Sequence, residues 1–224
     1  MRKIIVLFLS FISIVSCAQK KAKNKSVDGN FIVERLDEIG YFALTDSVNL
    51  DIVKRDVAKS YDELSYFGGV LSDTSLHCLD NRFYWIDLET LFEMDGLWEC
   101  LDEVKNTFER LGLKLEYENY AAGLDIDNPD YMHCMIELNG KEYTAFEGNV
   151  NLMSWEITFR NFVEMLNDQL RLQGSQEQVY MVYESNDGQI VFLTDEMYKI
   201  IKEYYPNDRN RPRSLADRKK FYKK

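Results

Sequence analysis

The chain has little with which to run chemistry at neutral pH. Its 224 residues include only two histidines, His77 and His133, the side chains whose unperturbed pKa lies closest to neutrality. It has no Gly-x-Ser-x-Gly, no phosphate-binding glycine loop, no His-Glu-x-x-His and no Cys-x-x-Cys. These absences exclude the usual hydrolase elbow, nucleotide cradle, zinc-protease helix and dithiol motif. Long apolar runs are missing too. The stretch from Ile4 to Val15 is twelve residues with two serines in it, whereas a membrane-spanning helix needs about 20 apolar residues. Basic residues are scarce in the middle: residues 26–206 carry 13 Lys or Arg against 36 Asp or Glu, near −23, in a chain of formal net charge −11. Such a field repels nucleic acid and anionic lipid and speeds encounter with basic partners.

What chemistry-bearing residues remain do not assemble by spacing. Each histidine is followed by a cysteine, Cys78 and Cys134, but neighbours on a strand point to opposite faces, so neither dipeptide is aligned for proton transfer. A catalytic pair would have to be crossed, His77 with Cys134 or His133 with Cys78, and a four-ligand zinc site would need the same crossing. Asp125, Asp127, Asn128 and Asp130 imitate a calcium loop. Pro129 stands at its fifth place and Asp130 where the turn wants glycine, so the EF-hand reading fails, leaving an acidic loop or an adventitious calcium site. Among 36 body acids nothing selects a glycosidase pair. The expectation is therefore no catalytic set, no cofactor and no metal, and a protein that is not an enzyme.

The first residues carry an address. Arg2 and Lys3, the apolar Ile4–Val15 and then Ser16-Cys17-Ala18-Gln19 have the three parts of a secretory signal. Ile14-Val15-Ser16-Cys17 resembles the lipobox of bacterial lipoproteins. That resemblance covers the signal alone and implies removal of residues 1–16, lipidation of Cys17 and a lasting tether to the cell envelope, since single chains hold weakly and lipoproteins carry several. Ala18 after the cysteine implies the outer membrane where one exists. The alternative is an ordinary cleaved signal in which Cys17 is incidental. With Cys17 committed, Cys78, Cys100 and Cys134 leave an odd number. A Cys78–Cys134 bridge is allowed if their strands are neighbours; otherwise Cys134 is a buried free thiol.

Behind a lysine-rich spacer (17–29), a globular body over 30–206 is expected, since 46% of the chain is hydrophobic and 13% aromatic. Asn30 is placed to cap a helix ended by Gly40, and a second amphipathic helix covers 50–61. A hairpin is expected over 76–86 with its turn at Asp80-Asn81, then a helix capped by Asp87, interrupted near Asp95-Gly96 and closed by Gly112. A strand follows over 113–117, and a loop over 119–130 marks the best internal boundary. Asn139-Gly140 joins strands 131–138 and 141–146 through a type I′ turn. Ser154 is placed to cap a helix with Trp155, Phe159, Phe162, Val163, Leu166 and Leu170 on one face. Asp187-Gly188 turns a third hairpin, and Thr194 caps a last helix before Pro206. Hairpin-then-helix thus occurs three times. The fold class is α+β, an antiparallel or mixed sheet of hairpins with helices mainly on one face. Residues 207–224 form a basic tail, read as a solvated charge run, a headgroup contact, or a segment folded back on the acidic body.

Function follows from address and charge. The leading expectation is a membrane-tethered, non-enzymatic binding lipoprotein holding a basic protein, in its most concrete form an immunity-type protein against a secreted toxin. The alternative is a structural envelope lipoprotein touching glycan or peptidoglycan through exposed aromatics such as Tyr66, Phe67, Tyr84 or Trp85, which could equally be core.

Overall fold

The computed structural model describes residues 27–75, 77–93, 95–184 and 187–219. The signal stretch, Cys17, the spacer up to residue 26 and the last five residues lie outside them. The fold is α+β with two three-stranded antiparallel sheets. The elements are α1 (Gly29–Glu38), α2 (Leu50–Leu64), β1 (Phe83–Asp87), α3 (Leu88–Phe92), α4 (Gly96–Arg110), β2 (Tyr117–Leu124), β3 (Tyr131–Leu138), β4 (Lys141–Asn149), α5 (Ser154–Leu172), β5 (Glu177–Glu184), β6 (Asp187–Thr194), α6 (Asp195–Tyr204) and α7 (Leu215–Lys219). One sheet has the order β1-β6-β5 and the other β2-β3-β4.

Local chemistry sets many of the boundaries. Asn139 and Gly140 both have positive φ, 49° and 80°, as a type I′ turn demands, and Leu138 pairs with Lys141 across it. The Asp87 carboxylate accepts the Glu89 and Thr90 N–H groups at the start of α3, and the Thr194 hydroxyl accepts that of Met197 in α6. At α1 the cap is Asp28, not Asn30: its carboxylate takes the Phe31 N–H at 2.9 Å. Ser154 is the first residue of α5 rather than its cap, and its hydroxyl accepts the Asn151 N–H. On α5, Phe159, Phe162, Val163, Leu166 and Leu170 are all buried, each contributing roughly 1.5–3 kcal/mol through removal from water.

The β1-β6-β5 sheet separates two hydrophobic cores. Tyr84, Ile86, Val179, Met181, Ile190 and Phe192 face one, shared with α4, α5 and the inner face of β3 and β4. Phe83, Tyr180, Val182, Val191 and Leu193 face the other, closed by α1, α2 and α6. This sheet therefore carries helices on both faces.

Long-range pairing changes several expected elements. The stretch before Asp80 makes no hairpin with β1; Leu71 and Cys78 form a lone bridge, and β1 pairs with β6, Phe83 opposite Val191. Hairpin-then-helix accordingly appears twice. Asp187 and Gly188 lie in β6, not in a turn; a Cβ on Gly188 would meet Leu88 Cδ1 at 2.6 Å and Phe159 Cζ at 2.8 Å, so the glycine lets α3 and α5 press on the strand. β2 runs over Tyr117–Leu124, so residues 119–124 of the expected loop are sheet. Residues 207–219 of the basic tail fold back on the body: Arg213 exchanges two backbone hydrogen bonds with Met181, at 2.8 and 3.0 Å, and the Asp208 carboxylate takes the Phe67 N–H.

Between Asp80 and β1 lies a buried ionic knot. Arg82, 1% exposed, donates to Glu177 Oε1 (3.0 Å) and to the carbonyls of Phe192 (2.9 Å), Tyr41 (2.5 Å) and Gly40 (3.4 Å). Asp80 accepts the Arg82 and Phe83 N–H groups, and burial pushes its carboxyl above the usual range.

Candidate functional site

A cleft of about 770 Å³ opens beside β1. The strand supplies Phe83, Tyr84, Trp85 and Asp87; α3 and α4 supply Thr90, Glu99, Cys100 and Glu103; and the loop before Asp80 supplies Leu71, His77 and Cys78. Glu99 and Glu103 stand four apart, one turn of α4, so both project to the same side while Leu97, Cys100, Leu101 and Val104 anchor the helix in the core. Among the described residues no lysine or arginine lines the cleft. Part of the Glu103 side chain remains in water, yet desolvation and then the neighbouring Glu99 raise its carboxyl pKa, with His77 pulling the other way. Bringing one more negative charge there is unfavourable; bringing a cation relieves both effects.

His77 is exposed, and its Nε2 lies 3.2 Å from Asn81 Oδ1. Asn81 is itself fixed by donating to the Leu44 carbonyl at 2.9 Å and accepting from Asn106 at 3.2 Å. The two thiols on the wall are poor nucleophiles: burial first, and then Asp80, pushes Cys78 up to about 12. Cys100 is raised by burial and by Glu103, Glu99 and Asp87. The surroundings thus suit binding of a cation better than thiolate attack.

The residues singled out by sequence are scattered. His77, Cys78, Tyr84 and Trp85 meet in the cleft, whereas His133 and Cys134 lie on β3 of the other sheet. Cys78 packs in the core with α1 and α2 and Cys134 in the core with α5. The Cys78–Cys134 bridge is therefore corrected: Cys78 lies in the loop before β1 and Cys134 on β3 of the other sheet, and Cys78, Cys100 and Cys134 are all buried and free. Both crossed histidine–cysteine pairs and the shared zinc set fail for the same reason. Of the four aromatics, Phe67 and Tyr84 are core, Tyr66 is half-buried, and Trp85 is 37% exposed. The Asp125 carboxylate is taken up by the N–H groups of Asp127 and Asn128, a turn rather than an open ligand.

A second, smaller concavity between β4 and α5 is already occupied by its own charges. Asp168 there accepts from Lys141, Tyr143 and Arg171. The sequence singles out neither Glu99 nor Glu103 and marks Asp87 only as a helix cap. The i, i+4 spacing of the two glutamates was visible, but nothing local tied them to Asp87 or to a strand edge. No protein-family model matches the chain, and neither a curated protein nor a solved structure is significantly similar to it.

Proposed function

We propose that the protein is a lipid-tethered, non-enzymatic binding lipoprotein of a bacterial envelope that holds a basic protein, an immunity-type role against a secreted basic toxin being its most concrete form. The observation that carries this reading is the cleft beside β1, whose charged wall residues Asp87, Glu99 and Glu103 are all acids, on a body near −23. Complementary charge speeds capture and fixes orientation. The raised thiols of Cys78 and Cys100 support binding over covalent chemistry, and the lipobox-like Ile14–Cys17 supports the tether.

The test uses the full chain on native membranes, with mass spectrometry of its amino terminus and co-purification at rising salt. Support would be a lipidated Cys17 and a basic partner released by salt and lost in Glu99→Lys/Glu103→Lys. A partner indifferent to that charge reversal, or an unlipidated intact leader, would overturn the reading. Exposed Trp85 in the same cleft favours one alternative, a structural envelope lipoprotein stacking on glycan; calorimetry with peptidoglycan fragments, with and without Trp85→Ala, separates the two.

A further inference from the structure

The central sheet has two edges, and among the described residues only one is closed. The bond from Phe192 N–H to the Arg82 carbonyl at 3.0 Å, with the register Phe83 opposite Val191, fixes which residues bond across the ladder. Arg82, Tyr84 and Ile86 turn their backbone groups toward β6; Phe83, Trp85 and Asp87 turn theirs outward. On the β5 edge the outward residues are satisfied. Asn167 both donates to the Val179 carbonyl (3.1 Å) and accepts its N–H (2.7 Å), and Arg213 pairs with Met181. On the β1 edge Asp80 takes the Phe83 N–H at 3.3 Å. Beyond it, the N–H and C=O of Trp85 and the N–H of Asp87 have no partner among the described residues, and the cleft opens directly on them.

We infer that β1 accepts an extended segment of the basic partner as a fourth strand, Lys or Arg side chains reaching Glu99 and Glu103 while the alternate side chains lie against Trp85. This rests on the reading of the cleft as a basic-protein site and specifies how it is filled. Backbone hydrogen bonds to an open edge supply affinity, and side-chain alternation supplies selectivity. The two faces differ as alternation requires: Tyr84 shares its face with α4 and its glutamates, and Trp85, one residue on, points to the other. A second copy of this chain fits poorly, because two copies would bring their own Asp87, Glu99 and Glu103 together.

The probe is a short synthetic peptide alternating lysine and valine, compared with the same peptide N-methylated along its backbone, which keeps every charge and removes every backbone donor. Binding to the full-length protein is read by calorimetry, and amide exchange at Trp85 and Asp87 by NMR. Strand addition predicts that N-methylation weakens binding at least about tenfold and that the unmodified peptide slows exchange at both amides. It also predicts that Trp85→Pro binds about tenfold more weakly than Trp85→Ala, since only the former lacks the donor, and proline is tolerated on an open edge. Equal, salt-sensitive binding of both peptides would overturn strand addition while leaving the basic-partner reading standing. No binding of either peptide, with no effect of Glu99→Lys/Glu103→Lys, would overturn both. Amides at Trp85 and Asp87 already protected without peptide would place another segment of this chain, or a second copy, on the edge and would also overturn the inference.

Discussion

Replacing Arg82 by methionine should be among the most damaging single changes outside the apolar cores. The guanidinium is 1% exposed and Glu177 7%. The substitution strands the Glu177 carboxylate, whose Oε2 already lacks a partner among the described residues, and removes the donor from three backbone carbonyls. Breaking a buried pair from one side costs about 3–5 kcal/mol, a large part of the roughly 5–15 kcal/mol that holds a domain folded. With a urea slope of about 2 kcal/mol per molar, the midpoint should fall by roughly 2 M. Glu177→Gln should cost less, about 1–2 kcal/mol, because an amide oxygen still faces Arg82 and the other acceptors stay engaged. The double change Arg82→Met/Glu177→Leu should recover part of the loss, because neither charge is left buried alone. Urea melts followed by circular dichroism, on the parent, Arg82→Met, Glu177→Leu and the double variant, give all four corners of the cycle. An Arg82→Met protein that melts with the parent, or a double variant destabilised by the full sum of its singles, would refute the idea that the two charges need each other.

Phe162→Ala should lose about 3–5 kcal/mol in the same assay, since Phe162 is fully buried on α5; parental melting would remove α5 from the core. Asp168 is held at about 2, by Lys141 first and then Tyr143, with Arg171 adding to them. A depressed carboxyl gives stability that is complete above its unfolded value near 4 and lost as pH falls through about 2. Because Lys141 and Arg171 are at least half exposed, screening leaves about 1 kcal/mol. Asp168→Asn should therefore lower Tm at pH 7, and the gap to the parent should close toward pH 2; a gap independent of pH would refute the assignment. Cys78, Cys100 and Cys134, all buried, should react with a thiol reagent only as fast as the protein opens, and prompt modification of native protein would contradict their burial.

Features written in a few adjacent residues were legible: Asn139-Gly140, the Asp87 and Thr194 caps and the apolar stripe of α5 each need only local chemistry. Features that depend on a distant neighbour were not. Nothing near Phe83 says that its partner is Val191, and Gly188 reads as a turn until Leu88 and Phe159 are seen against it. The Leu113–Tyr117 alternation is real, but hydrogen bonding to β3 begins only at Tyr117. His77, Cys78 and Trp85 drew notice singly and Asp87 only as a cap, while Glu99 and Glu103 were hidden among 36 acids of the same kind. An open edge leaves no mark in composition, because it is defined by what fails to pair.

The ladder between β1 and β6 also sets an order of events during synthesis. A chain that emerges amino end first presents Phe83, Tyr84 and Ile86 long before Val191 and Ile190 exist to receive them. Until residue 194 is out, the central sheet has no middle strand, and neither core has its floor. A chain held back before that point keeps an apolar strand without its partner, open to non-native contacts.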